Sequence, residues 1–158
     1  MSRNYYSEIN RHVTWHTSRN RPLLTPQIET ETHRYLRQRM IVTDGGVGHE
    51  IGGTETHMHI ALTIPPTLTI SEYIGQLKGA SSHHVNHINP TRDKLLEWQT
   101  GYGVVSFGTK DLDWVKAYIS NQKEHHRRGS AVDRLERINA EETYPHQMAS
   151  TPPQREAP

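Results

Sequence analysis

The sequence contains no cysteine among its 158 residues, and it has no long apolar run. Without cysteine, the chain has neither a disulfide framework nor a thiolate metal site, and this absence fits a cytoplasmic protein. No stretch approaches the roughly 18 consecutive apolar residues of a membrane span, and no hydrophobic signal core follows the N-terminus. We therefore expect a soluble bacterial-type cytoplasmic protein with no membrane partner.

Net charge is also nearly absent, because 18 lysines and arginines oppose 17 acidic residues for a formal charge of +1. A uniformly basic surface for nucleic acid is therefore excluded, although basic residues still cluster locally near both ends. No glycine-rich phosphate loop is present, so we expect no nucleotide cofactor. The length fits a single domain over residues 1–142, and the proline-rich residues 143–158 are expected to be a disordered tail.

Hydrophobic periodicity predicts alternating strands and helices. We predict strands at 9–17, 47–51, 57–64 and 101–108, a glycine turn at 52–53, and helices at 26–40, 71–88, 111–128 and 132–142. Thr25 is the expected N-cap of the first helix, with Pro26 at its first position. This order predicts an α+β, ferredoxin-like (RRM-like) βαββαβ antiparallel sheet with an added C-terminal helix.

Histidine is the residue in excess, with 12 in the chain, and two of them flank Met58. Residues two apart on a strand share a face, so His57 and His59 could bind one metal ion. Solvated strand histidines remain the alternative at this point, because 12 histidines would give about one such pair by chance.

Tyr118 and Gln122 form a second pair, four residues apart on a predicted helix. At that spacing a phenol and an amide lie one above the other and could reach the same point. The alternative is that Tyr118 packs beside Val115 and that Gln122 is a surface residue. No other tyrosine has a glutamine four residues later, and Tyr102 reads as a core residue of a strand.

The combination of His57-Met58-His59 with Tyr118-Ile119-Ser120-Asn121-Gln122 resembles the single-tyrosine HUH transposases of small bacterial insertion sequences. This family includes the repeat-palindrome-associated tyrosine transposases. The resemblance extends over about residues 9–128, with similar segments in the same order at 15–24, 57–62, 74–82, 98–106 and 118–127. Thr56 stands where the family often has Asp or Asn before the first histidine.

The resemblance implies a transposase that cleaves and rejoins single-stranded DNA through a 5′-phosphotyrosine on Tyr118. It implies a divalent metal ion, Mg²⁺ or Mn²⁺, held by His57, His59 and Gln122, and it implies DNA with hairpin ends and a homodimer as partners. Imidazole ligands suit Mn²⁺ better than Mg²⁺, but the sequence leaves that choice open. Candidates for contacts with the DNA backbone are Arg19, Arg21, Lys78, Lys123, Arg127 and Arg128.

Three other readings stay open. A replication initiator or relaxase of the same superfamily would share the chemistry, but we do not expect its usual extra helicase or oligomerisation domain here. An RNA-recognition module shares the βαββαβ order, but its aromatic strand motif is absent. A domesticated transposase that binds palindromes without cutting DNA would keep every residue named above.

Overall fold

The structure is a computed structural model that describes residues 4–91 and 93–139. Four strands and five helices follow one another as β1 (Asn10–His16), α1 (Pro26–Val42), β2 (Val47–Gly53), β3 (His57–Thr63), α2 (Ile70–Ile88), β4 (Gly103–Ser106), α3 (Leu112–Ser120), α4 (Gln122–Arg128) and α5 (Asp133–Glu136). Short 3-10 turns lie at Ser18–Asn20 and Thr109–Asp111. The predicted tail at 143–158 lies outside the described residues.

The strands form one sheet in the order β2-β3-β1-β4, and every neighbouring pair is antiparallel. This is the strand order of a βαββαβ fold, so the predicted α+β ferredoxin-like architecture is confirmed. The N-cap of α1 is also as predicted, because the Thr25 hydroxyl accepts a hydrogen bond from the Ile28 backbone N–H at 3.4 Å.

One face of the sheet carries the main core. Met58, Ile60 and Leu62 of β3 are at most 1% exposed. They belong to a cluster with Leu36 of α1 and Ile74 of α2. The two long helices therefore cover the same face, as the alternation along β3 predicted.

The opposite face of β3 carries His57, His59 and Ala61, and α3 packs over it. Ala61 lies in a second apolar cluster with Val115 and Ile119 of α3. In this structure α3 contacts β2 and β3 of its own chain. The helix that carries Tyr118 is thereby held directly above the histidine strand.

The structure corrects several predicted boundaries. Gly52 and Gly53 belong to β2, which is longer than predicted, and the turn comes after them. The predicted helix at 111–128 is divided at Asn121, whose backbone has φ −101° and ψ 20°. The last helix spans only Asp133–Glu136, and the end of the range predicted for it lies outside the described residues. β4 is four residues long because pairing with β1 stops at Ser106.

In the part of the chain that the structure describes, none of the helices combines the length and apolar character that crossing a bilayer requires.

Candidate metal and tyrosine site

The two central strands bring a row of polar side chains together on the face away from the main core. In the antiparallel register, His59 lies opposite Thr14 and His57 lies opposite His16. Directly opposed residues on antiparallel strands point to the same side of the sheet. Both predicted metal ligands are buried, with His57 4% exposed and His59 0% exposed. They are therefore not the solvated strand histidines that were the alternative.

Tyr118 and Gln122 are placed over these histidines. Val115 and Ile119 anchor α3 on the sheet, so Tyr118 is only 3% exposed, and its ring meets the ring of His59 edge-on at 6.1 Å between centroids. Gln122 is 1% exposed, and its amide Nε2 donates to the Tyr118 carbonyl at 3.4 Å. All four residues of the predicted site thus lie in one buried region.

Two residues that sequence reasoning did not assign to the site also belong to it. His126 of α4 and Glu136 of α5 join His57 and His59 in a group whose potential ligand atoms all lie within 4.8 Å of one another. His126 stands in the run of polar and charged residues 122–128, which by itself favours a solvated helix end. A signal was nevertheless present, because Tyr118, Gln122 and His126 follow one another at intervals of four. Nothing in the local sequence pointed to Glu136.

Glu136 connects the histidines to the tyrosine. One carboxylate oxygen, Oε2, lies 3.0 Å from His59 Nε2 and 3.4 Å from His57 Nε2. The other oxygen, Oε1, accepts a hydrogen bond from the Tyr118 hydroxyl at 2.5 Å. The backbone N–H of Val132 donates to the same hydroxyl at 3.0 Å. The phenol group is therefore held in place by α5 and the segment before it.

These contacts raise the pKa of Tyr118 and lower the pKa of Glu136. Burial and the hydrogen bond to Glu136 raise the pKa of Tyr118 to about 12. Burial by itself would raise the pKa of Glu136, but hydrogen bonds from His57 and His59 outweigh it and hold that pKa well below its usual range. At neutral pH the pair therefore consists of a neutral phenol and a charged carboxylate.

The ring nitrogens that point away from the cluster have partners of their own. His59 Nδ1 lies 2.8 Å from Nε2 of His12, which is 2% exposed. His57 Nδ1 lies 3.0 Å from the hydroxyl of Thr54 and 3.1 Å from that of Thr56. Partners at Nδ1 leave both Nε2 atoms directed at the cluster, which is the arrangement typical of histidines that bind metals.

The donor set suits a divalent metal ion. It offers imidazole nitrogens from His57, His59 and His126, a carboxylate oxygen from Glu136, and the nearby amide oxygen of Gln122, which lies 3.1 Å from His126 Nε2. Imidazole and carboxylate ligands bind first-row transition ions, whereas Mg²⁺ prefers oxygen ligands and water. The residues present therefore fit Mn²⁺ better than Mg²⁺, the other ion that the family resemblance implies.

The predicted DNA-contact residues fall into two groups. Lys123 and Arg127 line a cavity of about 460 Å³ that is also bounded by His57 and His126. Lys123 forms an ion pair with Glu29 at 2.7 Å, and Arg127 and Arg128 both pair with Glu124 at 2.5 Å. Lys123 and Arg127 therefore lie at the entrance to the histidine cluster.

The other group lies away from that cavity. The Lys78 ammonium donates to the carbonyls of Gln99 and Gly101 and so ties α2 to the segment before β4, beside a separate cavity of about 490 Å³. Arg21 pairs with Glu97 at 3.5 Å. Arg19 is exposed, with a left-handed backbone at φ 55°. Lys78 thus has a structural task that its sequence context did not indicate.

Comparison with known proteins agrees with this architecture. The family model described as "Transposase IS200 like" matches residues 5–122, and the chain belongs to that family. A transposase structure from Deinococcus radiodurans R1 is similar with a TM-score of 0.57 and 21% identity, over 77% of this chain and 96% of the other. The REP-associated tyrosine transposase bound to a REP hairpin is similar with a TM-score of 0.54 and 19% identity, over 83% and 74%. No curated protein matches the sequence.

Proposed function

We propose that this member of the family is a metal-dependent tyrosine DNA strand transferase, in which Tyr118 is the nucleophile. The observation that supports this most strongly is the convergence of a buried tyrosine, two buried strand histidines and a half-buried carboxylate in one cluster. The substrate we propose is single-stranded DNA with hairpin ends. The relative solved with a REP hairpin supports this choice of substrate.

The proposed reaction is a pair of transesterifications. Tyr118 Oη attacks the phosphorus of a phosphodiester, and the bond from phosphorus to the 3′ oxygen breaks. The phenol gives up its proton, the released strand end takes one up as a 3′-hydroxyl, and the DNA remains bound as a 5′-phosphotyrosine. A 3′-hydroxyl then attacks that phosphorus and frees Tyr118. Each step exchanges one phosphate ester for another, so no ATP is required.

The surroundings of Tyr118 define what the site has to do. A phenol whose pKa is raised to about 12 is almost entirely protonated at neutral pH and is a weak nucleophile without help. We propose His57, His59 and Gln122 as ligands of the divalent ion, which when bound would supply positive charge to polarise the scissile phosphate. Lys123 and Arg127 would bind the flanking backbone phosphates at the cavity that leads to His57. Arg19, Arg21, Lys78 and Arg128 stay predictions as DNA contacts.

The homodimer expected from the family resemblance also stays a prediction. Tyr118 meets His59 within one chain, because α3 packs on β2 and β3 of the same chain. The tyrosine, the histidines and Glu136 can therefore form one site without a residue from a second copy. We propose that the dimer holds two DNA ends together, with each copy supplying its own site.

The test is a search for a covalent protein–DNA adduct. The protein is incubated with single-stranded oligonucleotides that carry palindromes from its own genomic flanks, with Mn²⁺, with Mg²⁺ or with chelator. We expect an adduct that requires metal, disappears in Tyr118→Phe and persists in Tyr102→Phe, the matched control at a partly buried tyrosine that packs against the main core. An adduct that persists in Tyr118→Phe contradicts the assignment, whereas tight hairpin binding with no adduct would indicate a domesticated binding protein.

A further inference from the structure

The ligand atoms of the histidine and glutamate cluster already stand at the spacing of a coordination shell. Bonds of about 2.0–2.2 Å to one metal ion place neighbouring ligand atoms roughly 2.8–3.6 Å apart, for octahedral to tetrahedral angles. His57 Nε2 lies 3.1 Å from His126 Nε2, and Glu136 Oε2 lies 3.4 Å from each of them. Glu136 Oε2 lies 3.0 Å from His59 Nε2. These four distances are therefore those expected between neighbouring ligand atoms of one metal ion.

Hydrogen bonding alone does not explain this convergence. His126 Nε2 lies within 3.5 Å of three partner atoms: His57 Nε2, Gln122 Oε1 and Glu136 Oε2. One ring nitrogen carries at most one proton, so it can donate to only one of them. A cation at the centre would satisfy the lone pairs of all of them together.

We propose that Glu136 and His126 bind the same metal ion as His57, His59 and Gln122, so that three imidazoles, one carboxylate and one amide oxygen hold it. The proposal deepens the function argued above and rests on it. Glu136 then has a double task, because Oε2 faces the metal while Oε1 holds the Tyr118 hydroxyl. One side chain links the nucleophile to the ion. Such a ligand set selects Mn²⁺ and related transition ions over Mg²⁺.

The fold holds Glu136 in this place from both sides. Its neighbour Leu135 is 5% exposed and lies in the apolar cluster with Val115 and Ile119 of α3. On the other side, a Cβ on Gly103 of β4 would lie 1.8 Å from the carbonyl oxygen of Arg137. Only glycine at this position therefore allows the segment that carries Glu136 to lie so close to β4. The carboxylate therefore reaches the histidines through packing of its own segment.

The test measures metal binding by the full-length protein without DNA, by titration calorimetry with Mn²⁺. The two ligand variants are Glu136→Gln and His126→Asn. Their matched controls are Glu124→Gln and His125→Asn, which make the same chemical changes on α4 outside the cluster. We expect the wild-type protein to bind one Mn²⁺ per chain. We expect the dissociation constant to rise by about tenfold or more in each ligand variant and to stay unchanged in both controls. We also expect Mg²⁺ to bind much more weakly than Mn²⁺ to the wild-type protein.

A second measurement does not depend on how well the variants fold. Pulsed electron paramagnetic resonance of Mn²⁺ bound to the wild-type protein counts directly bound imidazole nitrogens, and we expect three. Two nitrogens would overturn the assignment of His126, and wild-type affinity in Glu136→Gln would overturn that of Glu136. If either happened while His57→Ala still lost the metal, only this inference would fail. If the wild-type protein bound no metal, the proposed metal-dependent function would fail with it.

Discussion

His12 stands directly behind His59, the innermost of the proposed metal ligands. Its ring stacks on that of His59 with 4.9 Å between centroids, and its Nε2 lies 2.8 Å from His59 Nδ1. If His59 Nε2 gives its lone pair to the metal, Nδ1 must carry the proton and donate it to His12. Burial lowers the pKa of His12 to about 3, so the imidazole is neutral and able to accept. His12 is thus a positioning residue for the ligand.

We predict that His12→Phe, which keeps the ring stack but removes the acceptor, weakens Mn²⁺ binding by about 10–100-fold. His12→Gln places an amide oxygen near the same position and should restore much of the affinity. Calorimetric titration of both variants with Mn²⁺ checks this. Equal affinities for the two variants would show that His12 acts only through packing.

The residues of the site differ in how far the sequence could predict them. His57 and His59 share a strand face, and Tyr118 and Gln122 share a helix face, so local spacing grouped each pair. Their roles as ligands and nucleophile came from the family resemblance. Glu136 is 77 residues from His59 in the chain, and no periodicity records where α5 folds back. Its place depends on tertiary packing, which a single sequence does not display.

At the scale of elements, β2 shows why the predicted turn at Gly52 and Gly53 was wrong. A Cβ on Gly52 would lie 2.1 Å from the carbonyl oxygen of Ile119. The glycine is therefore not a turn signal, but the point where the backbone of α3 comes into contact with the sheet. Because of this close approach, α3 packs against β3 and Tyr118 lies beside the histidines.

We predict that Gly52→Ala lowers the free energy of unfolding by about 1–3 kcal/mol, because strand and helix must separate to admit the methyl group. The control is Gly79→Ala in α2, where nothing lies within 4 Å of the added Cβ. That change should stabilise the protein by about 0.4–1 kcal/mol. Urea unfolding of both variants measures the difference, and equal stabilities would contradict the proposed contact.

The break between α3 and α4 has little effect on the order of the site. The backbone N–H of Asn121 still donates to Ala117 O at 3.1 Å, and that of His125 donates to Asn121 O at 2.9 Å. The helical path therefore continues across Asn121 closely enough to keep Gln122 near Tyr118. The sequence predicted one helix because apolar periodicity indicates the helical segment as a whole. It does not show a change of backbone angles at a single residue such as Asn121.

At the scale of the whole molecule, buried neutral histidines make the free energy of unfolding depend on pH. His33 of α1 is 8% exposed, and its Nε2 has no hydrogen-bond partner among the described residues. Burial, together with the charges of Arg37 and Lys123, lowers the pKa of His33 from 6.5 to about 4. Between these values the unfolded chain binds a proton that the folded chain does not. His33 therefore favours unfolding as the pH falls from 6.5 towards 4.

We predict that the free energy of unfolding decreases between pH 7.5 and pH 5, and that His33→Leu removes about 2 kcal/mol of this decrease. His83→Leu, at an exposed position of α2, is the matched control. Denaturant unfolding at the two pH values gives the comparison. The same pH dependence in wild type and His33→Leu would show that His33 is not the group responsible.

The topology of the whole chain was the most predictable level. The hydrophobic periodicities of the successive segments predict the βαββαβ order of strands and helices. Only a few sheet topologies are compatible with that order. Leu112, Val115 and Ile119 give α3 an apolar stripe that can cover the second sheet face, whereas its attachment to the sheet of the same chain required the structure. The predicted homodimer concerns contacts between chains and stays open to test.

The central claim is that Tyr118 forms the covalent bond to DNA, and peptide mapping of the adduct tests it most directly. Trypsin cuts after Lys116 and Lys123, so residues 117–123 form a peptide in which Tyr118 is the only tyrosine. The adduct formed with Mn²⁺ is digested with nuclease and trypsin, and the peptides are sequenced by mass spectrometry. We predict a nucleotide phosphate on Tyr118 of that peptide. A nucleotide found on any other tyrosine, or on no tyrosine, would contradict the account.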